Sequence, residues 1–153
     1  MRRIAEALYQ VAIVAWVGSM WAIGYLSAPV LFASLGDRQL AGIVAGKLFS
    51  LVGWIGLGCA AYIGIYLIFR WRAQAFRRSA FWLVLAMGIL VVAGQFGLQP
   101  LLAQLKADAL PRDVMESVLR DRFVAWHGVS SILYLVQSVL GLWLVLVGGR
   151  GLR

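Results

Sequence analysis

Hydrophobic residues fill four long stretches of the chain, and short polar segments separate these stretches. The stretches run from about Leu8 to Leu31, from Leu48 to Phe69, from Phe81 to Leu101 and from Val124 to Val147. Each is apolar on every side of a helix, whereas a helix on the surface of a soluble protein is apolar on one side. A bilayer core is roughly 30 Å thick, so a helix of about 20 mostly apolar residues can cross it. The pattern predicts an all-α integral membrane protein, a four-helix bundle that forms a single transmembrane domain over residues 1–153.

Composition supports a membrane location, and the distribution of charge predicts an orientation. Hydrophobic residues make up 63% of the chain, against roughly 45–50% in a typical soluble domain. The formal net charge is +8, and the segment between the second and third stretches holds Arg70, Arg72, Arg77 and Arg78. Basic residues close to span ends mark the cytoplasmic side of a membrane protein. We expect a multi-pass protein of the bacterial inner (cytoplasmic) membrane with both termini in the cytoplasm, in contact with the lipid bilayer and not with nucleic acid.

The charges elsewhere fit that orientation. Arg2 and Arg3 precede the first stretch, and Arg150 and Arg153 follow the fourth. In the two remaining connections the basic residues are Arg38, Lys47, Lys106, Arg112, Arg120 and Arg122, and the acids that offset them are Asp37, Asp108, Asp113, Glu116 and Asp121. The first apolar stretch is longer than the roughly 7–15 residues of a signal sequence. We therefore expect it to remain as a membrane anchor.

The two halves of the chain share an order of features. Pro29 ends the first stretch and Pro100 ends the third, and each proline leaves the carbonyl one turn earlier without its helical donor. Asp37 and Asp113 follow as candidate helix caps, each before a short amphipathic run that leads into the next span. We expect helices two and four to begin outside the membrane and to continue into it unbroken. The order indicates two helical-hairpin repeats with parallel orientation, or only the shared needs of any outward-facing hairpin.

Small residues recur along one side of the second stretch at helical spacing. They are Gly42, Gly46, Gly53, Gly56, Ala60 and Gly64. Apolar burial gives helices in lipid no reason to associate, so close backbone approach and dispersion must hold a bundle together. We expect Gly46, Gly53, Gly56 and Gly64 to serve helix packing.

Polar side chains inside a membrane are costly unless they are paired, so each is a candidate for function. The candidates for ligand binding are Trp21, Tyr25, Gln95, Gln99, His127, Ser130, Ser131 and Tyr134. A bundle turns its polar faces inward because lipid cannot satisfy them. We therefore expect these residues to converge around His127 in the outer half of the bundle, at the level of Pro29 and Pro100. The alternative is that they form ordinary interhelical hydrogen bonds, worth roughly 0.6–2 kcal/mol each.

More specific chemistry has weaker support in the sequence. Soft-metal candidates are His127, Met20, Met87, Met115 and Cys59, but no pair shows the spacing of a metal site. With a single histidine, one chain cannot hold haem between two histidines. Ser130 and Ser131 lie near His127, but no acid lies inside a span to orient the imidazole. The metal and any cofactor stay unknown, and the pattern argues against an enzyme without excluding one.

Several motifs resemble a known family. They are Trp16-Val17-Gly18-Ser19-Met20-Trp21-Ala22-Ile23-Gly24-Tyr25, Ala28-Pro29-Val30-Leu31-Phe32, Ala41-Gly42, Ala45-Gly46-Lys47-Leu48-Phe49, Gly94-Gln95-Phe96 with Pro100, and Phe123-Val124-Ala125-Trp126-His127-Gly128-Val129-Ser130-Ser131. Nearly the whole chain resembles a bacterial family of four-span membrane proteins of unknown function related to human transmembrane protein 205. The resemblance implies a membrane fold without an established activity. The association of the human relative with resistance to platinum drugs implies export or trafficking of metal complexes.

Three functions remain open at this point. The first is a small binding or transport module that holds a hydrophobic or weakly polar ligand, or a soft metal, in the outer half of the bundle. The second is an accessory or assembly subunit that packs against a partner membrane protein or against itself as a homo-oligomer. The third is a membrane redox subunit or enzyme.

Overall fold

The computed structural model of the chain describes residues 2–110 and 113–149. The charges that the sequence places at Arg112, Arg150 and Arg153 lie outside these residues, as does the side chain of Arg2.

Regular structure in the described residues is helical throughout. The α-helices are α1 (Arg2–Trp21), α2 (Ala28–Ser34), α3 (Arg38–Trp71), α4 (Ser79–Val92), α5 (Gln99–Ala109) and α6 (Arg120–Gly148). A π-helical turn, Ala22–Ser27, joins α1 to α2, and a second, Ala93–Leu98, joins α4 to α5. The described chain therefore forms four long helices: α1 with α2, then α3, then α4 with α5, then α6. Each predicted span lies within one of them.

The surface of these helices suits lipid. All four are long and apolar enough to cross a membrane, and only 22% of the most apolar window of each is buried inside the bundle. Large apolar side chains such as Phe69, Trp54 and Ile132 are more than half exposed. A soluble monomer rarely exposes apolar area on this scale. The fold is compatible with a multi-pass membrane protein, as the sequence predicts.

Each long helix packs against two neighbours. In one half of the bundle α1 contacts α3 and α6, and α4 contacts the same two helices. The main hydrophobic core lies between them, and its largest fully buried side chains include Trp16, Tyr9, Met20 and Met87. This core is close to the turn at residues 72–77, since Tyr9 stacks on Tyr66 with ring centroids 4.9 Å apart. We call the end with residues 70–78 the arginine end, and the half from the π turns to the connections at 35–37 and 110–119 the proline half.

Two of the four packing glycines lie at close contacts. A Cβ on Gly53 would overlap the Gln95 side chain, and one on Gly56 would lie 2.7 Å from the Trp16 indole nitrogen. At Gly46 and Gly64 a Cβ would meet nothing within 4 Å. Helix packing at Gly46 and Gly64 therefore stays a prediction.

The connections in the proline half differ between the two hairpins. Asp37 caps α3, since its carboxylate accepts hydrogen bonds from the backbone N–H groups of Gln39 and Leu40 at 2.8 and 3.1 Å. α3 then runs unbroken for 34 residues, as predicted. Asp113 caps only a short 3₁₀ turn, Val114–Glu116. α6 begins after that turn, at Arg120.

Asp113 is therefore not the cap of helix four that the sequence indicates, whereas α6 itself runs unbroken from Arg120 through the predicted span. The Ser117 hydroxyl donates to the Val114 carbonyl at 2.8 Å and accepts from the Leu119 N–H at 3.2 Å. A serine side chain that bonds nearby backbone groups competes with helical hydrogen bonds, so the chain turns here before α6 starts.

The turn at the arginine end contains an unfavourable backbone conformation. Arg72 has φ 49° and ψ −131°, a region that side chains with a Cβ rarely occupy. The guanidinium groups of Arg70 and Arg78 lie over the Trp71 ring, at 4.3 and 3.4 Å from its centroid. Cation–π contacts of this kind hold the turn against the end of α3.

We expect Arg72→Gly to stabilise the protein by up to about 1 kcal/mol, because glycine adopts this conformation without steric cost. Thermal unfolding in detergent measures the change. Arg77→Gly is the matched control, because Arg77 has an ordinary φ in the same turn; it should lower the melting temperature. A decrease of the same size in both variants would show that Arg72 is not strained.

Candidate functional site

The two π turns occupy equivalent places in the two hairpins. Each contains six residues, and each is followed by a proline at the second position beyond it. The N–H of Ala28 donates to the carbonyl of Ile23, and the N–H of Gln99 donates to the carbonyl of Gly94, five residues back in both cases. The two hairpins therefore share this backbone register before their prolines.

Each proline leaves a backbone carbonyl about one turn earlier without a hydrogen-bond donor, and the π turn affects which carbonyl this is. Proline has no N–H. In the five-residue register Pro29 would have donated to Gly24, and in the α-helical register to Tyr25. By the same reasoning Pro100 has no N–H for the carbonyl of Gln95 or Phe96. Each proline lacks one N–H, so the register at the proline decides which of the two carbonyls loses its donor.

The first π turn is packed against a tyrosine of α6. The Tyr134 hydroxyl donates to the Met20 carbonyl at the start of the turn. Its ring lies on Gly24, where a Cβ would overlap the ring. Tyr25 donates to the Ser138 hydroxyl at 3.0 Å, and Ser138 donates to the Tyr134 carbonyl at 2.8 Å. These contacts tie the turn to α6.

A shallow groove of about 290 Å³ opens beside this turn, between the first and fourth long helices. It is lined by Trp21, Tyr25, Leu135, Ser138, Val139 and Leu142. Trp21 and Tyr25 meet edge to face, with ring centroids 5.5 Å apart. The groove therefore has an aromatic and aliphatic wall, and the Tyr25 and Ser138 hydroxyls bond to each other and add almost no polar surface to it.

The second π turn is packed against α3. The Gln95 side-chain amide donates to the Ser50 hydroxyl at 3.0 Å, and Gly53 leaves room for the amide. Trp54 and Phe96 meet edge to face at 5.8 Å beside it. Both turns thus pair a glycine with a polar side chain: at the first turn Gly24 belongs to the turn and Tyr134 to the facing helix, and at the second Gln95 belongs to the turn and Gly53 to the facing helix.

His127 lies in a separate group near the end of the proline half. Its ring stacks on Phe123, with centroids 5.5 Å apart and planes at 12°. The Lys106 ammonium lies 5.6 Å from the centroid of the same Phe123 ring and donates to the Gly42 carbonyl at 3.0 Å. The sequence places Lys106 only among loop charges. The available signal was a lysine six residues after Pro100, on the same helix as the proline.

The candidate residues therefore form three groups rather than one. Hydrogen bonds and ring contacts join Trp21, Tyr25 and Tyr134 in the first group, Gln95 to Ser50 in the second, and His127 to Phe123 in the third. Gln99 and Ser130 are half-buried.

The expectation that these polar faces turn inward fails in part. Trp21, Tyr25, His127 and Ser131 are exposed at the bundle surface. On α6 the buried residues are instead Phe123, Ser138, Gly141, Leu144 and Gly148. Phe123 fills the space against α5, so its neighbour one turn on, His127, lies outside it.

The structure also shows the surroundings of the residues considered for soft-metal binding and for hydrolysis. The described residues contain no group of three or more His, Cys, Asp and Glu side chains arranged to hold a metal ion. The methyl ends of Met20 and Met87 both pack at Gly141 in the core. The Ser131 hydroxyl donates to the backbone carbonyl of His127 at 2.9 Å and not to its imidazole. The arrangement provides hydroxyl, amide and carbonyl groups rather than a nucleophile with its base.

Comparison with known proteins places the chain in a family whose function is unknown. Residues 11–110 match the model of a family described as Domain of unknown function (DUF4149), and the chain belongs to this family. The matched segment contains both π turns and both prolines. No curated protein and no solved structure matches the chain. The expectation that the chain resembles a family of unknown function is confirmed.

We expect Gly24→Ala to destabilise the protein by about 1–3 kcal/mol, because the new methyl group must displace the Tyr134 ring. Gly94→Ala is the control, since it lies in the other π turn with nothing within 4 Å of a Cβ. Thermal unfolding in detergent compares the two. Replacement of Tyr134 by Leu in the Gly24→Ala background should recover part of the loss. Equal melting temperatures for the two single variants would contradict the described contact.

Proposed function

We propose that this chain is a small binding or transport module, and that its ligand contacts the bundle at the level of the two π turns. The observation that carries the proposal is the presence of these turns at equivalent positions of the two hairpins. Interrupted helices at corresponding positions in two halves of a membrane protein are where transporters bind their substrates, and π turns are frequent at functional sites.

The groups around the turns suit an uncharged ligand. They are the hydroxyls of Tyr25 and Ser138, the amide of Gln95 and the carbonyls that the prolines leave without a donor. No acid lies among them, and the groove wall beside the first turn is aromatic and aliphatic. A hydrophobic or weakly polar molecule with one or two hydrogen-bonding groups fits this chemistry better than a soft metal, because the candidates Met20 and Met87 pack in the core.

The proposal includes an orientation and a location. The arginine end faces the cytoplasm of a bacterial inner membrane, with both termini on that side, and the proline half is the outer half. The support is the density of Arg70, Arg72, Arg77 and Arg78 at one end of the bundle.

A second candidate function is that of an accessory subunit, and one observation favours it. An apolar groove of about 430 Å³ runs between α3 and α4. Ala60, Ala61, Gly64 and Gly88 provide small side chains along it. Small residues permit close approach of another helix, from a partner membrane protein or a second copy.

The binding function is tested with Gln95→Leu and Ser50→Ala, which remove the same interhelical hydrogen bond. Only Gln95→Leu removes the amide itself. Each variant and the wild type are purified into lipid nanodiscs, and the small molecules extracted from them are compared by untargeted mass spectrometry.

We expect a compound retained by the wild type to fall about tenfold with Gln95→Leu, since a buried hydrogen bond to a ligand is worth about 1–1.5 kcal/mol. Ser50→Ala should retain the compound, and both variants should unfold within a few degrees of each other. If the two variants lose stability together and no compound distinguishes them, Gln95 serves only helix packing, and the accessory function is favoured.

A further inference from the structure

A second cluster in the proline half brings together two basic side chains on one aromatic ring, apart from the π turns. Lys106 of α5 lies over the Phe123 ring at 5.6 Å, and His127 of α6 stacks on the same ring at 5.5 Å. Lys106 is close enough to His127 to act on it electrostatically. We call Lys106, Phe123 and His127 the basic cluster.

The backbone around the basic cluster is held by its own small hydrophobic core. The residues of this core are Leu102, Leu105, Ala109, Val114 and Phe123, with Leu119 packed against them. Lys106 follows Leu105 directly, and Phe123 is itself part of the core. The two helices that carry the basic side chains are therefore fixed relative to each other.

Lys106 has less compensation than a half-buried cation requires. Its described hydrogen bond is to a neutral acceptor, the Gly42 carbonyl at 3.0 Å. The Asp113 carboxylate acts on it electrostatically and also accepts the Met115 N–H at 2.8 Å as a turn cap. An ammonium has three N–H donors. Removing a charge from water is costly unless an opposite charge or several hydrogen bonds replace the water.

His127 adds a second donor that a ligand can reach. Its side chain is exposed, while Phe123 beneath it is buried. Two basic groups on one ring repel each other when both are charged, and an anion between them removes this repulsion.

The level of the basic cluster fits a lipid headgroup. Lys106 lies about 9 Å along the helix beyond Pro100, and His127 lies about 10 Å into α6 from Arg120, at 1.5 Å per residue. Both positions are where the apolar stretches give way to charged residues. In a bilayer this is the depth of the phosphate groups, above a core roughly 30 Å thick.

We propose that the basic cluster binds a phosphate group, and that an anionic phospholipid of the adjoining leaflet supplies it. Lys106 provides two charge-assisted N–H donors and His127 provides a ring N–H, while Phe123 fixes the distance between them. The proposal is independent of the ligand at the π turns. A free phosphate ion has the same chemistry and is separated from the lipid by experiment.

The test measures binding of phosphatidylglycerol and phosphatidylcholine to the full chain in detergent by native mass spectrometry. The variants are Lys106→Gln, His127→Gln and Lys106→Arg, and Lys47→Gln is the control because Lys47 is an exposed lysine in the same half. Thermal unfolding without added lipid is recorded for every variant.

We expect phosphatidylglycerol to bind the wild type more tightly than phosphatidylcholine. Lys106→Gln and His127→Gln should each weaken this binding about tenfold, the effect of losing one charge-assisted hydrogen bond. Lys106→Arg and Lys47→Gln should leave it nearly unchanged. Millimolar inorganic phosphate should compete poorly, and effective competition would identify the free ion rather than the lipid as the source.

Two results would overturn the proposal. One is equal affinity for the two lipids in the wild type. The other is a Lys106→Gln variant that unfolds at a lower temperature but binds phosphatidylglycerol as the wild type does, which would show that Lys106 only ties α5 to Gly42 of α3.

Discussion

Every backbone polar group in a bilayer needs a partner from the protein, because lipid offers none. Pro29 and Pro100 each break this rule inside a long apolar helix. A π turn precedes each proline. In these turns the N–H groups of Ala28 and Gln99 each donate to the carbonyl five residues earlier. The turns keep both helices continuous, yet Pro29 has no N–H for the carbonyl of Gly24 or Tyr25, and Pro100 has none for that of Gln95 or Phe96.

The rest of the proline half follows from this constraint. Polar side chains of neighbouring helices collect at the turns, as Tyr134 does at the first and Gln95 with Ser50 at the second. Glycines stand opposite them, since a Cβ at Gly24 or Gly53 would occupy the same space. The half next to the arginine end has no such interruption and packs large apolar side chains around Trp16 and Met87. Packing of large apolar side chains dominates the half next to the arginine end, and the proline half adds the hydrogen bonds of Tyr25, Tyr134 and Gln95.

The sequence predicts the helices well because apolar length alone decides them. It also predicts the Asp37 cap and the unbroken α3. The sequence does not predict the π turns, since the prediction applies the 3.6-residue period of an α-helix through Pro29 and Pro100. The spacing on α6 predicts that His127 and Tyr134 lie together on one inward face. Which side of a helix faces its neighbours depends on packing, however, and the bulky Phe123 occupies the inward position. The sequence does not indicate a role for Lys106, because that role depends on contacts with Gly42 and Phe123, which are far away in sequence.

The central claim is that the bundle crosses a membrane with the proline half outside. Single cysteines at Gly36 and Gln74, both exposed, test it in a Cys59→Ser background with a membrane-impermeant maleimide on cells whose inner membrane is intact. We predict that the cysteine at 36 is labelled at once and that the cysteine at 74 is labelled only after the membrane is disrupted. The reverse pattern would invert the orientation, and immediate labelling of both positions would contradict a span between them.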